Sequence, residues 1–339
     1  MLSDLEAAAP LTILIPKREV LAGSSIAART RKESALAMTL NISAEINLPD
    51  PSPVLRRSDL AALENVPLVS IGGLPIAVIG RTASARLIVD LARSRPGRRP
   101  IVMTSANGQV VSLVARDPDA RRLFLAADLI HADGMPLVFA SRLRSEVALP
   151  ERVATTDLFH DVARLAEIEG GSFYLLGGEP RIIDRAVANV RERYPRLVIA
   201  GHRSGYFAGD ENRVVDEINA VAPDVLWVGM GVPREQAFAH AFRHRLTNVG
   251  VIKTSGGLFD FLSGKNGRAP AWMQAAGLEW LYRTALEPRR LLIRYLTTNP
   301  HAAYLLLSKA SHRVYPARDG GADPTSRNRA TADRDGYRS

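Results

Sequence analysis

A single carboxylate follows a short apolar run in the segment LIHADGMP, residues 129–136. The apolar run is typical of a buried strand, so Asp133 would lie where that strand ends. Three roles suit Asp133 followed by Gly134, and the segment alone does not separate them. The carboxylate could remove a proton from a sugar hydroxyl as a general base, it could bind a ribose hydroxyl, or it could cap the next helix.

Glycine and small polar residues also follow most of the other predicted strands. Doubly wound sheets bind ligands beyond the carboxyl ends of their strands, where glycine lets the backbone approach and helix N-termini attract anions. The strand ends with such residues are 105–107, 133–134, 177–178, 201–205, 229–231 and 256–257. Together they predict a ligand-binding edge of the sheet.

The glycine-containing loops match none of three familiar motifs. The sequence contains neither a GxxxxGK[ST] phosphate loop nor a GxSxG nucleophile elbow. The segment GMGVPRE begins like the GxGxxG dinucleotide fingerprint, but Arg234 stands at the third glycine position. A nicotinamide cofactor is therefore the weaker interpretation of this loop.

Arginine is frequent in segments that could reach the predicted edge. Guanidinium groups bind diphosphate oxygens with a planar, two-pronged geometry. The arginines that could neutralise a diphosphate are Arg152, Arg268, Arg283, Arg289 and Arg290. The segment RAPAWMQAAGLEWLYR mixes arginine with aromatic residues, a composition that suits either a membrane interface or a core-packing helix with its charges outside.

Short apolar runs alternate with amphipathic helical patterns from about Val66 to Gly257. The segments LPIAVIG (74–80) and RPIVMTSA (99–106) are typical of strands, and TTDLFHDVARLAEIEG (155–170) is typical of a helix. This alternation indicates a parallel sheet covered by helices. We therefore predict an α/β fold with a Rossmann-like, mostly parallel sheet, helices on both faces and a C-terminal α-helical appendage.

Four regions are predicted along the chain. Residues 1–65 show weak periodicity and are expected to form a weakly ordered N-terminal extension. Residues 66–257 are predicted to form the α/β core, and residues 258–310 a basic and aromatic helical appendage close to a membrane. Residues 311–339 are rich in Arg, Asp, Gly and Ser, which predicts a disordered tail.

The composition is that of a globular protein, with 46% hydrophobic and 23% charged residues among 339. The absence of cysteine excludes disulfides and thiolate metal sites. The net charge is +9, and the segment from Lys265 to Arg318 holds nine Lys or Arg residues against two Glu residues. Such a segment suits nucleic acid, substrate phosphates or an anionic membrane surface. No apolar run is long enough to span a bilayer and no secretory signal is evident, so a cytoplasmic location is expected.

Several segments resemble, in order, the motifs of one family. They are ADGMP (132–136), ERVATTDLF (151–159), FYLLGGEP (173–180), HRSGYF (202–207), PDVLWVGMGVPREQ (223–236) and GGLFDFLSGKNGRAPAWMQAAGLEWLYRTALEPRRLLIRYL (256–296). From about Val66 to Tyr295 the chain is similar to the WecG/TagA/CpsF glycosyltransferases, glycosyltransferase family 26. The resemblance implies an inverting hexosyl- or N-acetylhexosaminyl-transferase that moves a sugar from a UDP-sugar to a polyprenyl-diphosphate-linked acceptor.

The same resemblance implies a biological setting. The family acts in the synthesis of bacterial exopolysaccharide and other cell-surface polymers, on the inner face of the plasma membrane, to which its members bind peripherally. It implies no cofactor, no metal and no nucleic-acid partner, and it leaves open whether the chain forms a homo-oligomer. The alternatives are a nicotinamide-dependent enzyme that modifies nucleotide sugars and a non-enzymatic, basic peripheral-membrane or nucleic-acid-binding protein.

Carried over by position, the resemblance assigns Asp133 as the base that deprotonates the acceptor hydroxyl. Asn107 matches a TxN element, whose hydroxyl falls on Thr104 or Ser105. Arg268, Arg283 and Arg289 match appendage arginines that clamp a diphosphate. The other residues expected to bind substrate are Gly134, Arg152, Thr156, Asp157, Gly177, Gly178, Gly205, Tyr206, Gly229, Gly231, Pro233, Glu235, Gln236, Gly256, Gly257 and Asp260.

The chain departs from the family pattern at Ser105, where threonine is usual, and at three further places. PREQ stands where PxQE is usual, so either Glu235 or Gln236 could contact the nucleotide. Thr155 replaces a common glycine. KTSGGLFD stands where many members have GVGGAFD, so Lys253 and Thr254 suggest a subgroup with a different donor or acceptor.

Overall fold

The computed structural model describes residues 62–94, 99–308 and 314–315 of the chain. The strands in chain order are β1 (Leu68–Ile71), β2 (Leu74–Ala77), β3 (Ile101–Ala106), β4 (Leu129–Ala132), β5 (Ser172–Gly177), β6 (Val198–Arg203), β7 (Val225–Gly229), β8 (Val251–Thr254) and β9 (Val314–Tyr315). The helices are α1 (Arg81–Arg93), α2 (Gly108–Arg116), α3 (Pro118–Leu125), α4 (Met135–Arg144), α5 (Thr155–Glu169), α6 (Pro180–Arg193), α7 (Glu211–Val221), α8 (Arg234–Phe242), α9 (Leu258–Leu262), α10 (Ala271–Ala275), α11 (Glu279–Leu286) and α12 (Pro288–Ser308).

Strands β3 to β8 form one parallel sheet in the spatial order β4-β3-β8-β7-β5-β6. Every residue of β4, β7 and β8 is buried, which explains why these strands are almost continuously apolar in sequence. The chain adds β4 on one side of β3 and then crosses to the other half of the sheet. The direction in which successive strands are added therefore reverses beside β3. The carboxyl ends of β3, β4 and β8 lie next to this point.

Helices cover both faces of the sheet. Trp227 of β7 faces α5, where its ring centroid lies 4.9 Å from that of Phe159. Its neighbours Leu226 and Val228 point to the opposite face and share a buried cluster with Phe238 of α8. The predicted α/β fold with a mostly parallel sheet and helices on both faces is confirmed.

A second, smaller sheet contains the hairpin of β1 and β2. Strand β1 pairs antiparallel with β2 and with β9. The strand predicted at 74–80 therefore exists as β2, but it does not belong to the parallel sheet, because a turn at Gly72 and Gly73 folds it back onto β1. Residues 314–315 form β9 within the stretch predicted to be a disordered tail. The rest of that tail, and residues 1–61 of the predicted extension, lie outside the described residues.

The helices of the predicted appendage pack in different places. Leu258 and Leu262 of α9 are buried in the core cluster that includes α1, α5 and α6. Helices α10, α11 and the first half of α12 follow and border the carboxyl edge of the sheet. The second half of α12 packs on α2, where Ser112 Oγ lies 2.9 Å from His301 Nδ1. None of the helices in the described part of the chain is long and apolar enough to cross a bilayer.

Candidate active site

A cavity of about 250 Å³ opens at the carboxyl edge of the sheet, next to β3, β4 and β8 and beneath α11 and α12. This is the edge at which doubly wound sheets bind ligands. The predicted site residues in its wall are Ser105, Asn107, Asp133, Gly134, Arg152, Thr156, Glu235, Gly256, Gly257, Arg268 and Arg283. The fold thus brings together residues that are up to 178 positions apart in the sequence.

Asp133 follows β4 directly and is bonded to helix α5. Its Oδ2 accepts hydrogen bonds from Thr155 Oγ1 at 2.8 Å and from the Thr155 backbone N–H at 3.3 Å. Helix α4 begins after Gly134 without a side-chain cap, so Asp133 does not cap the helix that follows it directly, but it accepts the backbone N–H of the first residue of α5. Burial raises the pKa of the Asp133 carboxyl, while the Thr155 hydrogen bonds, Lys253 and Arg152 oppose that rise.

Lys253 is completely buried in the middle of the sheet. Its Nζ donates to Ser105 Oγ at 2.8 Å and to the carbonyl oxygen of the next residue at 2.9 Å. Ser105 Oγ lies 3.2 Å from Thr155 Oγ1, so two hydroxyl groups connect the ammonium with Asp133. Burial lowers the pKa of Lys253 to about 8, against the opposing influence of Asp133 and Glu235.

Glu235, at the start of α8, is buried and lines the cavity. Its carboxylate accepts the backbone N–H groups of Met230 at 3.2 Å, Gly231 at 3.1 Å and Gly256 at 2.9 Å. Burial raises the pKa of Glu235 to about 7, although these N–H groups and Lys253 favour the charged form. The side chain therefore holds the loops after β7 and β8 together.

Gln236 points away from the cavity, to the face of the sheet that α8 covers. Its Nε2 donates to Thr104 Oγ1 at 3.1 Å and to Thr254 Oγ1 at 3.3 Å. Thr254 Oγ1 in turn donates to Thr104 Oγ1 at 2.8 Å. Of the two candidates in the PREQ motif, Glu235 lies in the cavity wall, and of the two hydroxyls near Asn107, Ser105 does.

Arg152 and Arg268 lie in the cavity wall and bind acidic and amide partners. Arg152 donates to Glu279 Oε2 at 2.8 Å and to Gln274 Oε1 at 2.6 Å. Arg268 forms a two-pronged pair with Asp157, at 2.9 and 3.2 Å. Asp157 thus orients an arginine and lies outside the cavity wall. The network joins α10 and α11 to the start of α5.

Three helix N-termini meet at the cavity. Helix α2 begins at Gly108, after Asn107 Oδ1 accepts the Val110 N–H at 3.1 Å, and α4 and α5 begin beside Gly134 and Thr155. Helix N-termini carry partial positive charge, to which the arginines add full charges. Because backbone N–H groups and guanidinium groups both bind phosphate oxygens, the cavity suits an anion such as a diphosphate.

The glycines that end β5 and β7 do not line the cavity, because they pack against each other. A Cβ added to Gly177, whose φ is +143°, would lie within 2.9 Å of three backbone atoms of Gly229. The Gly178 N–H donates to the Gly229 carbonyl at 3.1 Å, and the Gly205 N–H to the Gly178 carbonyl at 3.0 Å. Close approach of backbones explains Gly177 and Gly205, the Phe259 ring leaves no space for a Cβ on Gly229, and a positive φ of +68° favours glycine at 178.

The other predicted binding residues that the cavity wall does not include are Thr104, Tyr206, Gly231, Pro233, Gln236, Asp260 and Arg289. Tyr206 and Arg289 are exposed, and the Asp260 carboxylate pairs with Lys265 at 3.2 Å. The side chain of Arg290 lies outside the part of the chain that the structure describes. The edge of the sheet therefore unites about half of the predicted set.

Some cavity residues do not follow from strand-end reasoning, among them Gln109, Trp280, Tyr295 and Asn299. The rings of Trp280 and Tyr295 meet edge to face, with centroids 5.8 Å apart. Their aromatic character beside arginine was a signal in the sequence, whereas nothing there marks Asn299. Across the described ranges, no group of three or more His, Asp or Glu side chains is placed to hold a metal ion. The absence of a metal requirement stays a prediction.

Comparison with known proteins identifies relatives that span this site. The family model described as the glycosyl transferase WecG/TagA/CpsF family matches residues 69–314. The N-acetylglucosaminyldiphosphoundecaprenol N-acetyl-beta-D-mannosaminyltransferase of Bacillus subtilis (strain 168) is 31% identical over 217 residues, which is 63% of this chain and 82% of the relative. The protein of the same name from Bacillus spizizenii is 31% identical over 188 residues, 56% of this chain and 72% of the relative.

The family match spans more than half of the chain and includes every residue of the cavity wall. It confirms the resemblance that the motifs predict. It also favours a sugar-transferring enzyme over the nicotinamide-dependent and non-enzymatic alternatives. The chain belongs to the WecG/TagA/CpsF family of glycosyltransferases.

Proposed function

We propose that this glycosyltransferase moves N-acetylmannosamine from its UDP derivative to N-acetylglucosaminyl-diphosphoundecaprenol, in the synthesis of a cell-surface polymer such as an exopolysaccharide. The names of the two Bacillus relatives support the sugar and the acceptor. The observation that carries the proposal is Asp133 in a cavity whose wall also holds Arg152, Arg268 and Arg283. A base beside several cations suits a reaction in which a hydroxyl loses a proton and a diphosphate leaves.

In the proposed reaction, the Asp133 carboxylate takes the proton of the acceptor hydroxyl while that oxygen attacks the anomeric carbon of the donor. The new carbon–oxygen bond forms as the bond from the anomeric carbon to the diphosphate breaks, and UDP leaves with the electron pair. Attack from the side opposite the leaving group inverts the anomeric configuration. The three arginines and the N-terminus of α2 stabilise the charge that develops on the diphosphate.

Purified protein should release UDP from UDP-N-acetylmannosamine when a lipid-diphosphate N-acetylglucosamine acceptor is present, and product analysis should show a β-linked disaccharide. Because side chains and helix N-termini neutralise the diphosphate, EDTA should leave the rate unchanged. A coupled assay for UDP measures the rate, with UDP-N-acetylglucosamine and UDP-glucose as donor controls. Turnover with another UDP-sugar instead would correct the proposed donor but support a sugar-transferring activity. No turnover with any donor and acceptor would overturn the proposal.

We further propose that α10, α11 and α12 seat the enzyme on the anionic inner face of the plasma membrane, where a polyprenyl diphosphate acceptor lies. Large apolar side chains on these helices face solvent, among them Trp272 at 66% exposure and Ile293 at 72%. Leu296 and Tyr304 are also exposed on α12, and the arginines nearby suit anionic lipid. An apolar surface beside basic residues is the composition of a peripheral membrane-binding face.

Replacing Ile293 and Leu296 together by Glu should reduce binding to vesicles that contain anionic lipid by about tenfold or more, because two apolar contacts are lost and two negative charges approach the lipid. Vesicle flotation measures the bound fraction. The matched control is Ile168→Glu, because Ile168 is equally exposed, at 71%, but lies on α5. Equal binding of the double variant and the control would contradict the assignment of this face.

A further inference from the structure

Lys253 has no part in the proton transfer described above, yet burial of its ammonium group costs free energy of folding. An ammonium group buried in a sheet loses its hydration, so it persists only where partners compensate. Lys253 is 0% exposed and stands in the strand sequence VIKT, where the neighbouring side chains are buried as well. Its side chain leads towards the carboxyl edge of the sheet, where Ser105 Oγ accepts from Nζ at 2.8 Å.

The bonding around Lys253 leads to the proposed base. From Nζ the contacts run to Ser105 Oγ at 2.8 Å, from Ser105 Oγ to Thr155 Oγ1 at 3.2 Å, and from Thr155 Oγ1 to Asp133 Oδ2 at 2.8 Å. Because the ammonium can only donate, Ser105 accepts from Lys253 and its own proton is free to point to Thr155. Thr155 then donates to Asp133. All donors in this series are therefore directed at the Asp133 carboxylate.

The charged and titratable groups that face Lys253 come from two further elements. Asp133 and His131 belong to β4 and its end, and Glu235 belongs to α8. Burial and the charge of Lys253 lower the pKa of His131 well below its ordinary value, so this ring is neutral. The Glu235 carboxylate accepts hydrogen bonds from three backbone N–H groups. In the part of the chain that the structure describes, both hydrogen bonds to the Asp133 carboxylate come from Thr155, and the charge of Lys253 adds to their effect on its pKa.

We propose that Lys253 is a positioning residue, whose ammonium group acts through Ser105 and Thr155 to orient the Asp133 carboxylate and to keep it ionised for proton abstraction. The inference rests on the proposed function, in which Asp133 is the base. Lys253 does not line the cavity. It acts by fixing the direction of two hydroxyl groups and by placing a positive charge beneath the base.

The pH dependence of kcat/KM is the signature of this role. The acidic limb reports the ionisation of the base in the free enzyme. Since Lys253 lowers the pKa of Asp133 against the effect of burial, removal of its charge should move that limb to higher pH. Above the pKa of Lys253, about 8, the neutral amine contributes no charge, so the profiles of wild type and of a variant without the charge should converge there.

The test compares Lys253→Met, Lys253→Arg and wild type over about pH 5.5 to 9.5 in the UDP-release assay. For Lys253→Met we expect an acidic limb at higher pH, about a tenfold or larger loss of kcat/KM at about pH 6.5, and a kcat/KM that approaches the wild-type value above about pH 8. Lys253→Arg keeps the charge and should restore the acidic limb. Ile252→Met is the matched control, because this neighbour in β8 faces the other side of the sheet.

The outcomes separate the role of Lys253 from the function itself. If wild type releases UDP and Lys253→Met has the same pH profile, the proposed role of Lys253 is overturned. The proposed transferase activity is unaffected by that result. If wild type releases no UDP from any donor, the proposed function fails first. If Lys253→Met does not fold, Ser105→Ala replaces it, since it breaks the same series of hydrogen bonds. A wild-type kcat and pH profile for Ser105→Ala would then overturn the proposal.

A second readout does not depend on activity. Burial lowers the pKa of Lys253 from its ordinary 10.5 to about 8 in the folded protein. Between these values the unfolded chain binds more protons than the folded chain, so stability should rise with pH there. Thermal melting should show this rise for wild type relative to Lys253→Met from about pH 8 to 9.5. Parallel melting curves over this range would show that no buried ammonium is present.

Discussion

Replacing Asp133 by Asn should lower kcat about 10³-fold, while the affinity for UDP stays within about threefold of the wild-type value. The amide fills the same space and its oxygen can still accept from Thr155, so the start of α5 keeps its anchor. It cannot take up the proton of the acceptor hydroxyl, however, so the oxygen that attacks the anomeric carbon stays protonated. Rapid-quench kinetics give kcat, and calorimetric titration with UDP gives the affinity.

The matched control for this experiment is Asp161→Asn, because Asp161 is a partly buried carboxylate on α5 that pairs with Arg81 and Arg164. It lies outside the cavity wall, so its loss should leave kcat within about twofold. Turnover of Asp133→Asn at the wild-type rate would remove Asp133 from the base role. A loss of UDP binding equal to the loss of kcat would instead indicate that the variant has disturbed the cavity.

The sheet was predictable from the sequence because its signals are local. Parallel strands buried on both faces give continuous apolar runs, and the helices between them have a period near 3.6. The partner of a strand is not a local property, so the strand predicted at 74–80 was misassigned to the parallel sheet. Its antiparallel pairing follows from the turn at Gly72 and Gly73, whose importance the apolar pattern does not reveal.

The carboxyl edge of the sheet was predictable for the same reason, since strand ends can be read from the sequence. Asp133, Asn107 and Gly256 all lie in the cavity wall, as that rule predicts. The hydrogen-bonded link from Lys253 to Asp133 was not predictable. It joins residues 148 and 50 positions apart, and only the register of β3 beside β8 brings them together.

The arginines show a further limit of sequence reasoning. Their number predicts a diphosphate site, but not that Asp157 and Glu279 bind Arg268 and Arg152. Asp157 meets Arg268 in a two-pronged pairing, a geometry that the guanidinium group also offers to phosphate oxygens. The same contacts hold the appendage against the core. The acidic partners therefore fix the direction of the two guanidinium groups in the cavity wall.

The glycines after β5 and β7 give the clearest case in which one pattern has two physical causes. A strand-end glycine is required where a ligand approaches the backbone, and equally where two backbones approach each other. Sequence alone favours the first cause because ligands bind at that edge. The structure shows the second for Gly177, where the backbone of Gly229 leaves no space for a side chain. These two explanations predict different results for one substitution.

Replacing Gly177 by Ala should therefore lower the free energy of unfolding by about 2–4 kcal/mol, because the added methyl group overlaps the Gly229 backbone and φ is positive. Gly231→Ala is the matched control: its φ is also positive, +82°, but nothing lies within 4 Å of the added Cβ, so it should lose about 1 kcal/mol. Urea unfolding of both variants gives the two values. If Gly177 instead served a ligand, Gly177→Ala would unfold like the control and bind UDP more weakly. A larger loss of stability, with UDP affinity retained by the folded fraction, assigns this glycine to the packing of β5 against β7.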